Sequence, residues 1–269
     1  MNKRVILIAA IVGIAVMFLG ILFVFNKKPL EAVKPSSSGQ ELYTEAMGLE
    51  EKNEVLAARE AYQKLLSDHP DFKENQNAQK HLEDLNLRVI FSSTETPKTV
   101  LHEVKSGDSL AKIAKLYNTT IEFIKKSNNL TGDVIRVGQK LRIWKGAFSV
   151  FVDKSQNILI LKCDDEVVKV YNVSTGKNNS TPIGTFKIVD KLVNPVWFKS
   201  GAIVPPESPD NILGTRWLGF DNPGYGIHGT TEPETIGQQI TAGCVRMRNQ
   251  EVEELYSLLP VGTLVTVAD

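Results

Sequence analysis

Cysteine and histidine are scarce in this sequence. Its 269 residues include two cysteines, Cys163 and Cys244, and four histidines. Two thiols allow at most one disulfide bridge, and no Cys/His cluster with the spacing of a zinc site is present. The sequence therefore implies no bound metal and no cofactor.

An excess of charge of one sign is also missing. The 31 basic residues cancel the 31 acidic residues, so nothing indicates nucleic acid or another polyanion as a partner. The chain is too long for one typical domain, and two or three modules are expected.

Charged residues are absent from residues 5–25. A helix of this length, rising ~1.5 Å per residue, would span roughly 32 Å, enough for the ~30 Å hydrocarbon core of a bilayer. No small-residue cleavage site follows the apolar run. The pattern predicts an uncleaved, single-pass membrane anchor over residues 1–28, with the later domains outside the cytoplasm, in the periplasm or on the cell-wall side.

A linker over residues 29–40 and a helical segment over 41–91 follow. Ala58, Tyr62 and Leu65 have the spacing of the second helix of a tetratricopeptide repeat. One repeat cannot bury its own apolar face, so a single TPR-like hairpin covered by a third helix over 72–87 is expected. The segment is interpreted as a helical spacer or, less favoured, as a docking module for an unknown protein partner.

The chemical centre of the sequence is HGT at 228–230 followed by TAGCVRM at 241–247. A thiol is a nucleophile only as the thiolate, so Cys244 needs a base. His228 is the only histidine after residue 102. Gly243 allows close backbone approach and offers an N–H to a developing oxyanion. The pattern indicates a cysteine acyl-transfer centre.

The two cysteines are either paired in a disulfide or free. In an oxidising compartment Cys163 and Cys244 could pair, which would abolish the nucleophile. Cys163 ends the apolar run 158–161, where a small buried side chain is the ordinary expectation. A packed Cys163 and a free Cys244 are favoured.

Several ordered blocks between about residues 148 and 267 resemble the L,D-transpeptidases, the YkuD-like enzymes that crosslink bacterial peptidoglycan. The blocks are STGK at 174–177, TPIGTF at 181–186, NILGTRW at 211–217 and the His228 and Cys244 motifs. Many members have a second histidine directly before the Gly-Cys pair, where this chain has Ala242. His228 must then act alone.

The resemblance implies a cysteine nucleophile, Cys244, a proton donor and acceptor, His228, and the backbone carbonyl of Gly229 to orient the imidazole. The thiolate would attack the carbonyl joining a diamino acid, third in a tetrapeptide stem, to D-Ala, giving a thioester. An amine of a second stem would then form a 3→3 crosslink, whereas water would give an L,D-carboxypeptidase.

Four other residues are candidates for substrate binding. Arg246 either meets a substrate carboxylate or forms a structural pair, and the two are equally favoured. Thr241 either holds the Cys244 loop or is an ordinary strand residue. Tyr225 and Trp217 either line the cleft or belong to the core.

Residues 100–145, after a linker over 92–99, are similar to a LysM domain. The β-α-α-β pattern contains GDSL at 107–110, NN at 128–129 and VGQKL at 137–141. The resemblance implies binding of N-acetylglucosamine-containing glycans such as peptidoglycan strands. The expected glycan-binding residues are Gly107, Asp108, Ser109, Leu110, Thr131, Gly132, Asp133, Val134 and Ile135.

From residue 148 the apolar periodicity becomes two, typical of short strands in a mainly-β sandwich or barrel, and one helix is expected over 249–259. The predicted fold class is therefore multidomain: a transmembrane helix, a TPR-like helical segment, LysM and a mainly-β L,D-transpeptidase domain over 146–269. Two rivals are a non-catalytic peptidoglycan-binding scaffold and a sortase-like enzyme, whose His-to-Cys separation would be much longer.

Overall fold

The computed structural model describes residues 38–199 and 201–269. The helices of these residues are α1 (Gly39–Glu51), α2 (Val55–Asp68), α3 (Asn75–Phe91), α4 (Leu110–Leu116), α5 (Ile121–Ser127) and α6 (Asn249–Leu258). The strands are β1 (Thr99–Glu103), β2 (Lys140–Trp144), β3 (Phe148–Asp153), β4 (Ile158–Cys163), β5 (Glu166–Asn172), β6 (Thr175–Gly176), β7 (Gly184–Val193), β8 (Trp197–Lys199), β9 (Ala202–Val204), β10 (Arg216–Phe220), β11 (Gly226–His228), β12 (Gln239–Thr241), β13 (Val245–Arg246) and β14 (Leu264–Ala268).

The predicted fold class is wrong in its transmembrane helix. Among residues 38–199 and 201–269, no helix is both long enough and apolar enough to cross a bilayer. The expected anchor over residues 1–28 lies outside the described residues. The corrected fold class has three parts: a helical segment, a LysM domain and a mainly-β domain.

Helices α1, α2 and α3 form the expected hairpin with a third helix packed on it. Their own core contains Leu42, Tyr62 and Leu65 together with Leu82 of α3. Helix α3 runs to Phe91, beyond the predicted end at residue 87. The extra turn belongs to a second core, because Ile90 packs with the strands of the β domain.

Helix α3 also covers the edge of the large sheet. The amide of Asn86 donates to the carbonyl of Val168 on β5 at 3.0 Å, and Arg59 holds Asn86 through its Nε at 2.7 Å. An uncovered edge strand exposes unpaired backbone groups and invites pairing with other chains. The helical segment therefore protects β5 and packs directly on the β domain.

Residues 99–144 have the expected β-α-α-β order, with β1 paired antiparallel to β2. Ser109 caps α4 by accepting from Lys112 N at 3.3 Å, and Thr120 caps α5 by accepting from Phe123 N at 2.9 Å. These side chains satisfy N–H groups that lack a partner inside the helix. The two short helices are thus stabilised at their N-termini by their own capping residues.

The LysM domain is joined to the β domain through α5 and α6. Phe123 of α5 is buried in the main core and lies edge-on to Phe148 of β3, with centroids 6.0 Å apart. The hydroxyl of Thr120 donates to the carbonyl of Ser257, and Lys126 Nζ donates to the Ser257 hydroxyl at 2.8 Å. Apolar and polar contacts therefore fix the two domains together.

Eight strands form the large sheet, in the order β13-β11-β10-β7-β14-β3-β4-β5. The long strand β7 joins its halves, since residues 184–187 pair with β14 and residues 188–193 pair with β10. This confirms the mainly-β prediction for the C-terminal part. Helix α6 follows the Cys244 motif and ends at Leu258, within one residue of the expected end.

Arg142 joins the LysM strand β2 to the end of α3. It is 2% exposed and donates to the carbonyls of Val89, Ile90 and Thr94 at 2.6–3.1 Å. These carbonyls belong to the last turn of the helix and the loop after it. Hydrogen bonds from Arg142 therefore join β2 to the end of α3.

Replacing Arg142 by methionine removes one donor from each of these carbonyls, of which that of Val89 keeps the hydroxyl of Ser92 at 3.0 Å. We expect the free energy of unfolding, measured by urea titration, to fall by about 2 kcal/mol. Arg136→Met, at an exposed position of the same domain, is the matched control and should change it little. Equal effects of the two substitutions would show that the junction does not depend on Arg142.

Candidate active site

Four adjacent strands, β13, β11, β10 and β7, carry the site. Their register places Arg246 opposite His228, His228 opposite Trp217, and Trp217 opposite Leu192. These residues form one row across the sheet. Because the strands are hydrogen-bonded neighbours, the side chains in a row point to the same face.

A second row lies two residues away on each strand and therefore shares that face. Asp190 lies opposite Gly219, and Gly219 lies opposite Gly226. Cys244 directly precedes Val245, whose partner is the residue after Gly226, so Cys244 lies beside Gly226. The sheet thus brings the predicted nucleophile and base to one face, on neighbouring strands.

The opposite face of these strands is core. Val245, Ile227 and Leu218 alternate with the site residues and are fully buried. Lys191 continues this row and donates from Nζ to the carbonyl of Tyr256 on α6 at 2.6 Å. Helix α6 therefore packs on the back of the sheet and leaves the face with His228 and Cys244 to the functional site.

His228 is held in one tautomer. Its Nδ1 lies 2.6 Å from the carbonyl oxygen of Gly229, which can only accept, so Nδ1 carries the proton. Burial lowers the pKa of His228 to about 4; the Gly229 hydrogen bond opposes this shift and the Arg246 charge adds to it. The resting imidazole is neutral, with the Nε2 lone pair available as a base.

Cys244 is a free thiol, and so is the buried Cys163. The disulfide alternative is therefore not formed, and Cys163 is packed as favoured. The Sγ of Cys244 lies 3.5 Å from the carbonyl oxygen of Gly224, to which the thiol donates. Burial raises the pKa of Cys244 to about 11, while the Gly226 N–H and the Arg246 charge lower it. The resting site has a neutral thiol and a neutral imidazole on neighbouring strands of one sheet face.

Thr241 holds the loop that carries the cysteine. Its hydroxyl donates to the carbonyl of Cys244 at 2.6 Å and accepts from the N–H of Gly243 at 3.1 Å. The predicted oxyanion donor, Gly243 N–H, is therefore engaged in the resting structure. Gly243 has φ +133°, and a Cβ there would lie 2.6 Å from the ring of Tyr225. Only glycine fits between this ring and the loop.

Arg246 is buried and makes a structural pair. Its Nη1 donates to Glu232 at 2.8 Å and to the hydroxyl of Thr235 at 2.9 Å, while its Nε has no hydrogen-bond partner among the described residues. Of the two alternatives for this residue, the resting structure contains the local ion pair. Its charge still acts on the site by lowering the pKa values of both His228 and Cys244.

A cleft of about 380 Å³ opens at Cys244. Trp217, Gly224 and Asp190 also line it. The remaining wall is apolar and contains Leu192, Pro195, Val196, Trp197, Phe198 and Leu213. Trp217 therefore lines the cleft, whereas Tyr225 lies against Gly243 and packs on the core.

Asn249, the first residue of α6, was not identified from the sequence. Its Oδ1 accepts from Thr230 N at 3.0 Å and from Thr215 N at 3.2 Å. Thr230 N belongs to the same peptide group as the carbonyl of Gly229, so Asn249 fixes the acceptor that orients His228. Its position five residues after Cys244 was the available sequence signal.

Among the expected glycan-binding residues, several have structural partners. Leu110 is buried in the LysM core, Ser109 caps α4, and Asp108 accepts from Lys105 N at 2.8 Å. Asp133 pairs with Lys125 at 2.6 Å. Gly107, Thr131, Gly132 and Val134 are exposed, and Ile135 is half-buried. Glycan binding by these loops stays a prediction.

The histidine makes stability depend on pH. With a pKa of about 4 when folded and 6.5 when unfolded, the unfolded chain binds more protons between these values. The contribution of His228 to the free energy of unfolding is therefore complete above pH 6.5 and is lost as the pH falls towards 4. We expect the free energy of unfolding of the native protein, measured by urea titration, to fall between pH 7 and pH 5. The fall should be about 2 kcal/mol larger than that of His228→Gln. Parallel curves for the two proteins would contradict the buried neutral imidazole.

Comparison with known proteins finds two families that match parts of this chain. Residues 147–267 match the L,D-transpeptidase catalytic domain (YkuD) family, and residues 102–144 match the LysM domain family. A putative L,D-transpeptidase of Bacillus subtilis, YqjB, is 44% identical over 126 residues, or 45% of this chain and 70% of that protein. The putative L,D-transpeptidase YkuD of Bacillus licheniformis is 32% identical over 177 residues, or 62% of this chain and 98% of that protein.

Among solved structures, an L,D-transpeptidase from Mycobacterium tuberculosis H37Rv is similar at 17% identity, with a TM-score of 0.41, over 49% of this chain and 63% of that one. One from Mycobacterium smegmatis is similar at 21% identity, with a TM-score of 0.39, over 50% of this chain and 65% of that one. On the matches in sequence, the chain belongs to the L,D-transpeptidase family.

Proposed function

We propose that this enzyme forms 3→3 crosslinks between peptidoglycan stems through a thioester on Cys244. The observation that carries the proposal is the Nδ1–H tautomer of His228, fixed by Gly229 on the same sheet face as a free thiol. That arrangement supplies a buried base at Nε2 and a nucleophile that lines the cleft.

In the first step, Nε2 of His228 takes the thiol proton as Sγ attacks the carbonyl between the third residue and D-Ala. The bond to D-Ala breaks, and the imidazolium returns the proton to the leaving amine. In the second step, a side-chain amine of another stem attacks the thioester, His228 takes its proton, and the thiol is regenerated. Proton transfer accompanies attack because both groups are neutral at rest.

The negative charge that develops on the carbonyl oxygen needs N–H donors. We assign this role to the backbone amide of Cys244. Gly243 contributes when its N–H leaves Thr241, a bond of 3.1 Å between neutral groups. Arg246 acts at a distance, since its charge favours the thiolate from a buried position.

The LysM domain supports the same substrate class. We propose that its loops at 107–109 and 131–135 bind the glycan strands whose stems enter the cleft. The contacts of Thr120 and Lys126 with Ser257 fix these loops relative to the catalytic sheet. A substrate of this kind places the site of action outside the cytoplasm.

Cys244→Ala removes the nucleophile and should abolish crosslinks between purified tetrapeptide stems, detected by mass spectrometry. A carbapenem should add once to the native protein, at Cys244, and Cys163→Ala should label normally because Cys163 is buried. Crosslinks made by Cys244→Ala would rule out the mechanism.

The products also separate the remaining alternatives. Tripeptides without crosslinked dimers would identify water as the acceptor, and the enzyme would then be an L,D-carboxypeptidase. Glycan binding with no reaction of any stem or carbapenem would identify a non-catalytic scaffold.

A further inference from the structure

Asp190 is the one charged side chain among the described residues that line the cleft. The other residues around it are apolar or aromatic, apart from Cys244. None of the ion pairs formed within 38–199 and 201–269 includes this carboxylate. A lone carboxylate at the edge of an apolar cleft favours a cationic group of the bound substrate.

A path across two glycines leads from the nucleophile to this carboxylate. The path crosses four neighbouring strands. It begins at Cys244, passes Gly226 and Gly219, and ends at Asp190. A Cβ on Gly226 would lie 2.9 Å from the indole of Trp217, and a Cβ on Gly219 would lie 2.7 Å from its Nε1. The indole therefore rests on both glycines and forms the floor of the path.

The same indole fixes the carboxylate. Trp217 Nε1 lies 3.3 Å from Oδ1 of Asp190, and the ring stacks on His228 with centroids 6.1 Å apart. One side chain thus positions the base at one end and the carboxylate at the other. Oδ2 of Asp190 remains for a ligand.

The length of the path fits one side chain of the substrate. Oδ1 lies 1.8 Å from where a Cβ of Gly219 would be, so the carboxylate leans over that strand. The carboxylate of Asp190 is then two strand spacings, or about 10 Å, from Cys244. From its carbonyl carbon, an extended lysine-like side chain reaches its nitrogen after about 7 Å, and an ionic hydrogen bond adds ~2.8 Å.

From this match we propose that Asp190 selects donor stems whose third residue ends in a cationic amine. The inference rests on the proposed function, because the third residue is the one whose carbonyl meets Cys244. Its methylenes lie along the indole of Trp217, and its ammonium pairs with Oδ2. Asp190 is a specificity residue and takes no part in bond making.

The test measures acylation alone, as release of D-alanine in a single turnover of the full chain. Two tetrapeptide stems are compared, one with lysine at the third position and one with norleucine, which lacks only the amine. We expect the native enzyme to prefer the lysine stem about five-fold, the size of an exposed ionic contact. The preference should shrink in 0.5 M salt, which screens such a contact.

In Asp190→Asn, the lysine stem should slow to the rate of the norleucine stem, and the norleucine rate should stay unchanged. Asp210→Asn removes the same charge at an exposed position of the same domain outside the cleft, and should keep the preference. Equal rates for the two stems with the native enzyme would overturn the proposal. So would an equal loss on both stems in Asp190→Asn, since that would indicate a structural role.

A binding measurement separates this inference from the proposed function. If the native enzyme released D-alanine from neither stem, the proposed function would fail. Calorimetry with Cys244→Ala would still test the role of Asp190. Tighter binding of the lysine stem than of the norleucine stem supports that role if the difference is lost when Asp190→Asn is added. Equal binding of the two stems overturns it.

Discussion

The hydrogen bond from Nδ1 of His228 to the carbonyl of Gly229 is the interaction on which the site depends. It decides which ring nitrogen is a base, and no carboxylate takes part in it. The carbonyl is fixed in turn, because the N–H of the same peptide group donates to Asn249 at 3.0 Å. A planar peptide group with partners on both sides has little freedom to rotate.

Helix α6 connects this support to the rest of the protein. Its first residue, Asn249, fixes the peptide behind His228, and Ser257 in its last turn contacts Thr120 and Lys126 of the LysM domain. Between these ends it packs on the back of the strands that carry the site. The helix therefore links the LysM domain to the peptide group that orients His228.

Local rules predicted much of this from the sequence. The β-α-α-β order of residues 99–144 and the helix after the Cys244 motif depend on patterns within a few residues, whereas the pairing of His228 with Gly229 was implied by the family resemblance. Features set by distant contacts were missed. Asp190 and Trp217 meet only because β7 and β10 pair in one register, and α3 is extended because Ile90 packs in the core of the β domain.

Two expectations met competing contacts. Gly243 N–H, expected to face an oxyanion, donates to Thr241, and Leu110, expected at a glycan loop, is buried in the LysM core. What the pattern did not contain was the nearest partner in space, which satisfies a polar group or buries an apolar one first.

The state of the imidazole is measured most directly by ¹⁵N chemical shifts of the resting enzyme, with His228 assigned by comparison with His228→Gln. Between pH 5.5 and 8 we expect a protonated Nδ1 and an unprotonated Nε2, with no change across the range. A proton on Nε2, or an imidazolium at pH 7, would contradict the neutral base described above.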